Sequence, residues 1–160
     1  MLKFLNKKKD NKGFSLVELI IVVAIMAILV GLLAPQYLKY VEKSRKSADA
    51  NNLDQMVQAV QVYAADAEAT LPAGGYKITI GKNNTDVGVY EVNGNTGDVA
   101  ELRKALDEAV PGYATIKLKS NKWDGATDGL IANIAVDAEG GTTVTYEPTS
   151  LATYVNKTAK

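Results

Sequence analysis

Gly13-Phe14-Ser15-Leu16-Val17-Glu18-Leu19-Ile20-Ile21-Val22-Val23-Ala24-Ile25 opens the stretch that decides the architecture of this 160-residue chain. From Leu19 to Ala34 no polar side chain occurs, and Phe14 to Leu16 extend the apolar run backwards past Glu18. A helix rising ~1.5 Å per residue covers about 30 Å between Phe14 and Ala34, which is the thickness of a bilayer core. Lys3, Lys7, Lys8, Lys9 and Lys12 precede the run against the single Asp10, five positive charges less one negative, so the first thirteen residues carry +4. Positive charge is retained on the cytoplasmic side, so Met1 to Gly13 are expected inside and everything after Pro35 outside.

An ordinary secretory signal has the same basic-then-apolar order, but its small-residue cleavage site lies beyond the apolar core. Here Gly13 stands before it. Glu18 is the anomaly, because an ionisable group at mid-bilayer costs roughly 2.5–3.5 kcal/mol and is read as functional by default. No Lys or Arg lies within the run. A cut between Gly13 and Phe14 would create an α-amino group at Phe14, four residues from Glu18 on the same helical face.

Lys-Gly followed by Phe14-Ser15-Leu16-Val17-Glu18-Leu19-Ile20 resembles the class III signal of type IV prepilins of the type IVa kind. The resemblance implies a membrane peptidase that cuts after Gly13, methylation of the new N-terminal Phe14, and pairing of Glu18 with the N-terminus of a neighbouring subunit during filament assembly. Pro35, Tyr37 and Tyr40 stand where many pilins have a helix-kinking proline and interfacial tyrosines. Implied partners are other copies of the chain in a helical filament, a prepilin peptidase, an assembly platform with its ATPase, minor pilins, and membrane lipid before assembly. Many Gram-negative major pilins close a C-terminal loop with a disulfide; this chain has no Cys, so that loop must be held another way, and a Gram-positive, clostridial source is a reasonable expectation.

Past Pro35 the helical pattern continues, with Leu38, Val41, Ala48, Leu53, Met56, Val57, Val60, Ala64 and Ala67 near a 3.6-residue period. Leu71-Pro72-Ala73-Gly74-Gly75 is expected to end a helix from Phe14 to Ala69. Tyr76 to Ile80 and Val87 to Val92 read as short strands in a connecting loop, and Asp98 to Val110 as a small helix with Asp98 and Glu101 in capping-box spacing. Tyr113 to Lys119, Leu130 to Val136 and Thr142 to Glu147 are the stronger strand candidates, with Asp137-Ala138-Glu139-Gly140-Gly141 as a turn. Leu151 to Lys160 fits either a last strand or a frayed tail. The fold class that follows is α+β: a long N-terminal helix, membrane-spanning in its first half and amphipathic in its second, packed on a small antiparallel sheet. The expected divisions are a cleaved leader at 1–13, a membrane and filament-core helix at 14–35, and an extracytoplasmic head at 36–160.

Composition excludes much other chemistry. With no Cys and no His, thiolate nucleophiles, disulfides, imidazole bases and most zinc sites are ruled out. Zero net charge with +4 in the leader leaves −4 for the remainder, which argues against a nucleic-acid surface. Lys39, Lys43, Arg45 and Lys46 sit just after the apolar run, where anionic lipid headgroups lie. Asp124 and Asp128 invite a calcium reading, but counting from Asp124 the third and twelfth loop positions are Ala126 and Ala135, so no EF-hand is formed. Some secretion pseudopilins hold calcium in a late loop, and the resemblance keeps that open; the residues themselves read as a turn with Trp123 packed and both aspartates solvated.

Asp66 with Glu68 and Asp107 with Glu108 fall on polar helix positions, and no phosphate loop or nucleophile elbow occurs, so no enzyme, cofactor or metal is expected. Asn83-Asn84-Thr85 and Asn156-Lys157-Thr158 match a glycosylation triplet that arises often by chance. The function expected is a pilus subunit; a pseudopilin of a secretion or DNA-uptake system shares the same N-terminal logic, and a monomeric signal-anchored binding module is the rival of another class.

Overall fold

The computed structural model describes residues 13–66, 71–126 and 128–155. Their elements follow in the order α1 (Leu16–Ala65), β1 (Gly74–Ile80), β2 (Thr85–Val92), β3 (Asn95–Thr96), α2 (Val99–Ala109), β4 (Leu130–Val136), β5 (Thr142–Glu147) and α3 (Thr149–Val155). Two compact units are distinguished, Met1–Tyr40 and Val41–Lys160. Of the first, the described part is the exposed apolar start of α1. The second holds the core.

Within that second unit α1 buries Asp49, Ala50, Leu53, Met56, Val57, Ala59 and Val60, a 3.6-residue stripe. Val41, Ala48 and Ala64 of the expected stripe are half-buried, Leu38 is exposed, and Ala67 lies outside the described residues. The helix ends at Ala65, earlier than expected. Its last turn tightens, with the Asp66 amide donating to the Tyr63 carbonyl.

The sheet order is β2-β3-β1-β4-β5, with β2 also paired to β1. β1, expected in a connecting loop, is instead its centre: Ile78 pairs antiparallel with Val87 on one side and with Ala132 on the other. Period-two alternation explains the reassignment, because Tyr76, Ile78 and Ile80 all point inward and are fully buried in one core with Leu53, Met56, Leu130 and Ile134. Fully burying each such aliphatic side chain contributes roughly 1.5–3 kcal/mol. The sheet is antiparallel except where β3 meets β1 through the parallel pair Gly75↔Thr96. Gly75 is needed there, since a Cβ would stand 2.6 Å from the Tyr90 ring laid across it.

α2 is capped as its sequence promised, with the Asp98 carboxylate accepting from the Ala100 amide at 2.8 Å. The reciprocal half of the box does not form. The Tyr76 hydroxyl accepts from the Asp98 amide, and Glu101 accepts from the Tyr63 hydroxyl at 3.2 Å instead. Leu102, Ala105 and Leu106 bury the inner face.

Tyr113 to Lys119 is not a strand. Pro111 and Gly112, with Gly112 at φ 81°, turn the chain into a 3₁₀ turn at Tyr113–Thr115. The segment then touches the β1–β2 turn at single points, through Thr85 Oγ1 to the Ile116 carbonyl and the Leu118 amide to the Gly81 carbonyl. β4 and β5 occupy their expected ranges, joined by a turn in which the Asp137 carboxylate accepts from the Glu139 and Gly141 amides. The C-terminal segment, expected as strand or tail, is the helix α3 up to Val155, with Leu151 buried.

Candidate functional site

The start of α1 is built by a capping box that the sequence reading passed over. Ser15 Oγ accepts from the Val17 amide at 3.3 Å, and Glu18 Oε2 accepts from the Ser15 amide at 2.8 Å. Serine with glutamate three residues on satisfies two amides that a helix start leaves unpaired. Glu18 also places negative charge at the positive end of the helix dipole. Gly13 and Phe14 lie just before the helix, with Phe14 90% exposed. Among the described residues Glu18 has no ion-pair partner.

Behind this cap, the large apolar side chains from Leu16 to Leu33 run from 50% exposed at Val22 to 74% at Leu16. A surface of that kind cannot stay in water; it marks a membrane or protein contact. The described residues contain one helix long and apolar enough to cross a membrane, this one. Pro35 lies inside α1. Having no N–H, it leaves the Gly31 carbonyl without its usual helical donor.

In the second unit a different cluster stands out, and the sequence reading missed it. Asp49 is fully buried on the apolar face of α1. Its Oδ1 accepts from the Lys119 amide at 2.8 Å, and its Oδ2 accepts from the Ser120 amide at 2.9 Å and from Trp123 Nε1 at 3.3 Å. One helical turn earlier, Lys46 Nζ stands 5.3 Å from the Trp123 ring centroid. Earlier still, the Glu42 carboxylate accepts from the Ser120 hydroxyl. Residues 42, 46 and 49 share one helix face, so three positions of α1 grip the segment before β4. Tyr154 in α3 meets Trp123 in a T-shaped pair, with ring centroids 5.3 Å apart and planes at 72°. The signal was present: position 49 precedes Leu53 by four and Met56 by seven, so a charge occupies the apolar stripe.

The prokaryotic N-terminal methylation motif is matched over residues 8–34, which contain Gly13, Phe14 and Glu18. Over 124 residues, 74% of this chain, the sequence is 32% identical to fimbrial protein EcpC of Eikenella corrodens and covers 80% of that protein. The chain belongs to the type IV pilin family. This pilin is also 29% identical, over 110 residues, to prepilin peptidase-dependent protein A of Clostridium perfringens, with 67% of this chain and 78% of that protein covered. To the type IV major pilin protein PilA of Myxococcus xanthus it is 30% identical over 101 residues, 63% of this chain and 45% of the longer relative. No solved structure matches the pilin. Two of these relatives are named as a fimbrial protein and a major pilin.

Asp124 and Asp128 are both exposed, Trp123 is packed, and no group of three or more possible metal ligands occurs among the described residues. Asp66, Asp107 and Glu108 are exposed; Glu68 and the triplet at Asn156 lie outside the described residues. The triplet at Asn83 ends in Thr85, which is buried with its hydroxyl donated to the Ile116 carbonyl.

Proposed function

We propose that this pilin is the structural subunit of a type IV pilus, made as a precursor whose leader 1–13 is removed by a prepilin peptidase and polymerised through the helix that begins after Gly13. The observation that carries the reading is Glu18: a carboxylate within the first turn of a helix whose following run, 19–34, is apolar and exposed, with no ion-pair partner among the described residues. Hydrolysis of the Gly13–Phe14 peptide adds water across that bond, leaving a carboxylate on Gly13 and an ammonium on Phe14. Methylation of that nitrogen preserves its positive charge. The new cation adjoins Ser15, whose amide already donates to Glu18.

Before assembly, residues 14–35 span the cytoplasmic membrane once, and residues 36–160 lie outside it. On assembly the apolar surface from Leu16 to Leu33 exchanges lipid for neighbouring copies. A carboxylate moved into that dry core without a cation is costly, so pairing Glu18 with the Phe14 ammonium of a neighbour fixes register even where its net stabilisation is small. The expected helpers are a prepilin peptidase, a platform protein with its ATPase, and minor pilins. Pro35, one residue short of the head, relaxes the helix ladder where the spanning part ends.

The test is the N-terminus and intact mass of the protein from the native cell surface, wild type beside Gly13→Ala. A mature chain starting at methylated Phe14, absent in the variant, is the expected result. A stable surface protein retaining Met1 would overturn the reading.

A further inference from the structure

Where α1 grips the segment before β4, cations from two distant stretches of chain come together. Residues 42–49 carry Lys43, Arg45 and Lys46, and residues 117–124 carry Lys117, Lys119 and Lys122. The Lys119 amide donates to Asp49 at 2.8 Å, and the Lys122 amide donates at 3.1 Å to the Ser120 hydroxyl, which in turn donates to Glu42. Trp123, the residue after Lys122, has the Lys46 ammonium 5.3 Å from its ring centroid. With positions 42, 46 and 49 turned toward that segment, Lys43 and Arg45 fall on the two flanks of the gripping face. Along 117–120 burial alternates, so Leu118 and Ser120 are covered while Lys117 and Lys119 are exposed.

The carboxylates at the same place are mostly engaged. Asp49 is fully buried beneath its three donors, and Glu42 accepts from the Ser120 hydroxyl and stands 3.8 Å from Arg45. Asp124 is exposed and offsets one cation. Lys43, Lys119 and Lys122, by contrast, are exposed with no ion-pair partner among the described residues. The two stretches hold six cations against three carboxylates, whereas the rest of residues 41–160 holds six against thirteen. Folding thus gathers positive charge at one place on an otherwise acidic unit.

We propose that this patch is a docking surface for anionic lipid headgroups, used while the chain is still in the membrane. The proposal rests on reading residues 14–35 as the spanning segment and names what the second unit meets before assembly. Charge complementarity favours that partner, since each Lys or Arg near an anionic bilayer surface adds to the attraction. Chain length favours it too: Lys43 follows Ala34 by nine residues of helix, a contour of about 13 Å however the helix bends. About 6 Å of that crosses the headgroup layer, and the remainder lies within a Debye length, about 8 Å. Long lysine stems shorten the gap further. A long polyanion such as duplex DNA would also meet the acidic remainder of the unit and be repelled by it.

The full chain is reconstituted into vesicles of phosphatidylcholine, alone or mixed with phosphatidylglycerol, with a nitroxide on some headgroups. Asn121→Cys, exposed between Lys119 and Lys122 in a chain with no native cysteine, carries a fluorophore. Quenching should be stronger in the anionic vesicles and should weaken as salt is added. Lys119→Gln and Lys122→Gln should each lower the ratio of docked to free heads by about fivefold. Lys77→Gln and Arg103→Gln, exposed cations elsewhere on the unit, should leave that ratio unchanged. Equal quenching in both kinds of vesicle overturns the proposal, as does an equal loss in the Lys77 and Arg103 variants, which would reduce the patch to net charge. Loss of duplex DNA retention in the patch variants, with quenching unaffected, overturns it in favour of a nucleic acid. If the chain stays inserted through an alkaline wash yet quenching ignores lipid charge, only this inference falls. If the wash strips the chain from the vesicles, the spanning reading falls and this one with it.

Discussion

Trp123 donates its indole N–H to the buried Asp49 carboxylate at 3.3 Å, tying the segment before β4 to the apolar face of α1. Two backbone amides, at Lys119 and Ser120, share that acceptor. Removing the carboxylate leaves two buried donors, the Ser120 amide and the Trp123 indole, and the part-buried Lys119 amide without their acceptor. Asp49→Ala should therefore cost about 3 kcal/mol or more. Denaturant unfolding of the detergent-solubilised full chain measures it, and a loss below about 1 kcal/mol would show that the clasp is slack. Trp123 emission should shift to the red as the ring becomes wet.

A pair of variants separates the cap that Glu18 forms from the assembly role proposed for it. Glutamine at the third helical position still completes a capping box, so Glu18→Gln keeps the Ser15 contact while removing the charge. Assembly should be lost in Glu18→Gln with the helix intact by circular dichroism. Ser15→Ala removes the other half of the cap, at about 1 kcal/mol, and should leave pili on the surface. Normal piliation in Glu18→Gln would reduce Glu18 to a cap.

Gly129 adopts φ 126° directly before β4, and a Cβ there would strike the Ile80 carbonyl of β1. Neither the backbone angle nor the neighbouring strand can yield cheaply. Gly129→Ala should destabilise the head by about 2–3 kcal/mol, read as a lowered midpoint in the same denaturation assay.

Burial pushes the Tyr146 phenol up from 10.0 to about 12, and the Asp54 carboxylate adds to the effect. Because the folded state holds the proton more tightly than the unfolded chain, this tyrosine's contribution is fully present below pH 10 and is lost as pH rises from there through about 12. Tyr146→Phe should flatten the alkaline limb of stability against pH between those values. An unchanged limb would assign the loss to the other raised tyrosines, Tyr76, Tyr90 and Tyr113, all held up chiefly by burial.

By itself, the sequence determined what repeats along one element. The apolar run after Gly13, the lone Glu18, the 3.6-residue stripe of Leu53, Met56, Val57 and Val60, and the ranges of β4 and β5 all follow from local period and composition. Tertiary structure decided what depends on partners distant in the chain. β1 lies at the centre of the sheet because β2 and β4 flank it, a fact that its seven residues do not contain. Tyr113 to Lys119 has strand-like composition but finds no ladder partner beyond single contacts with the β1–β2 turn. Asp49 is tolerable in the core only because Lys119, Ser120 and Trp123, some seventy residues away, bring it three donors. A buried charge is read from its ligands, and those are assembled only when the chain has folded.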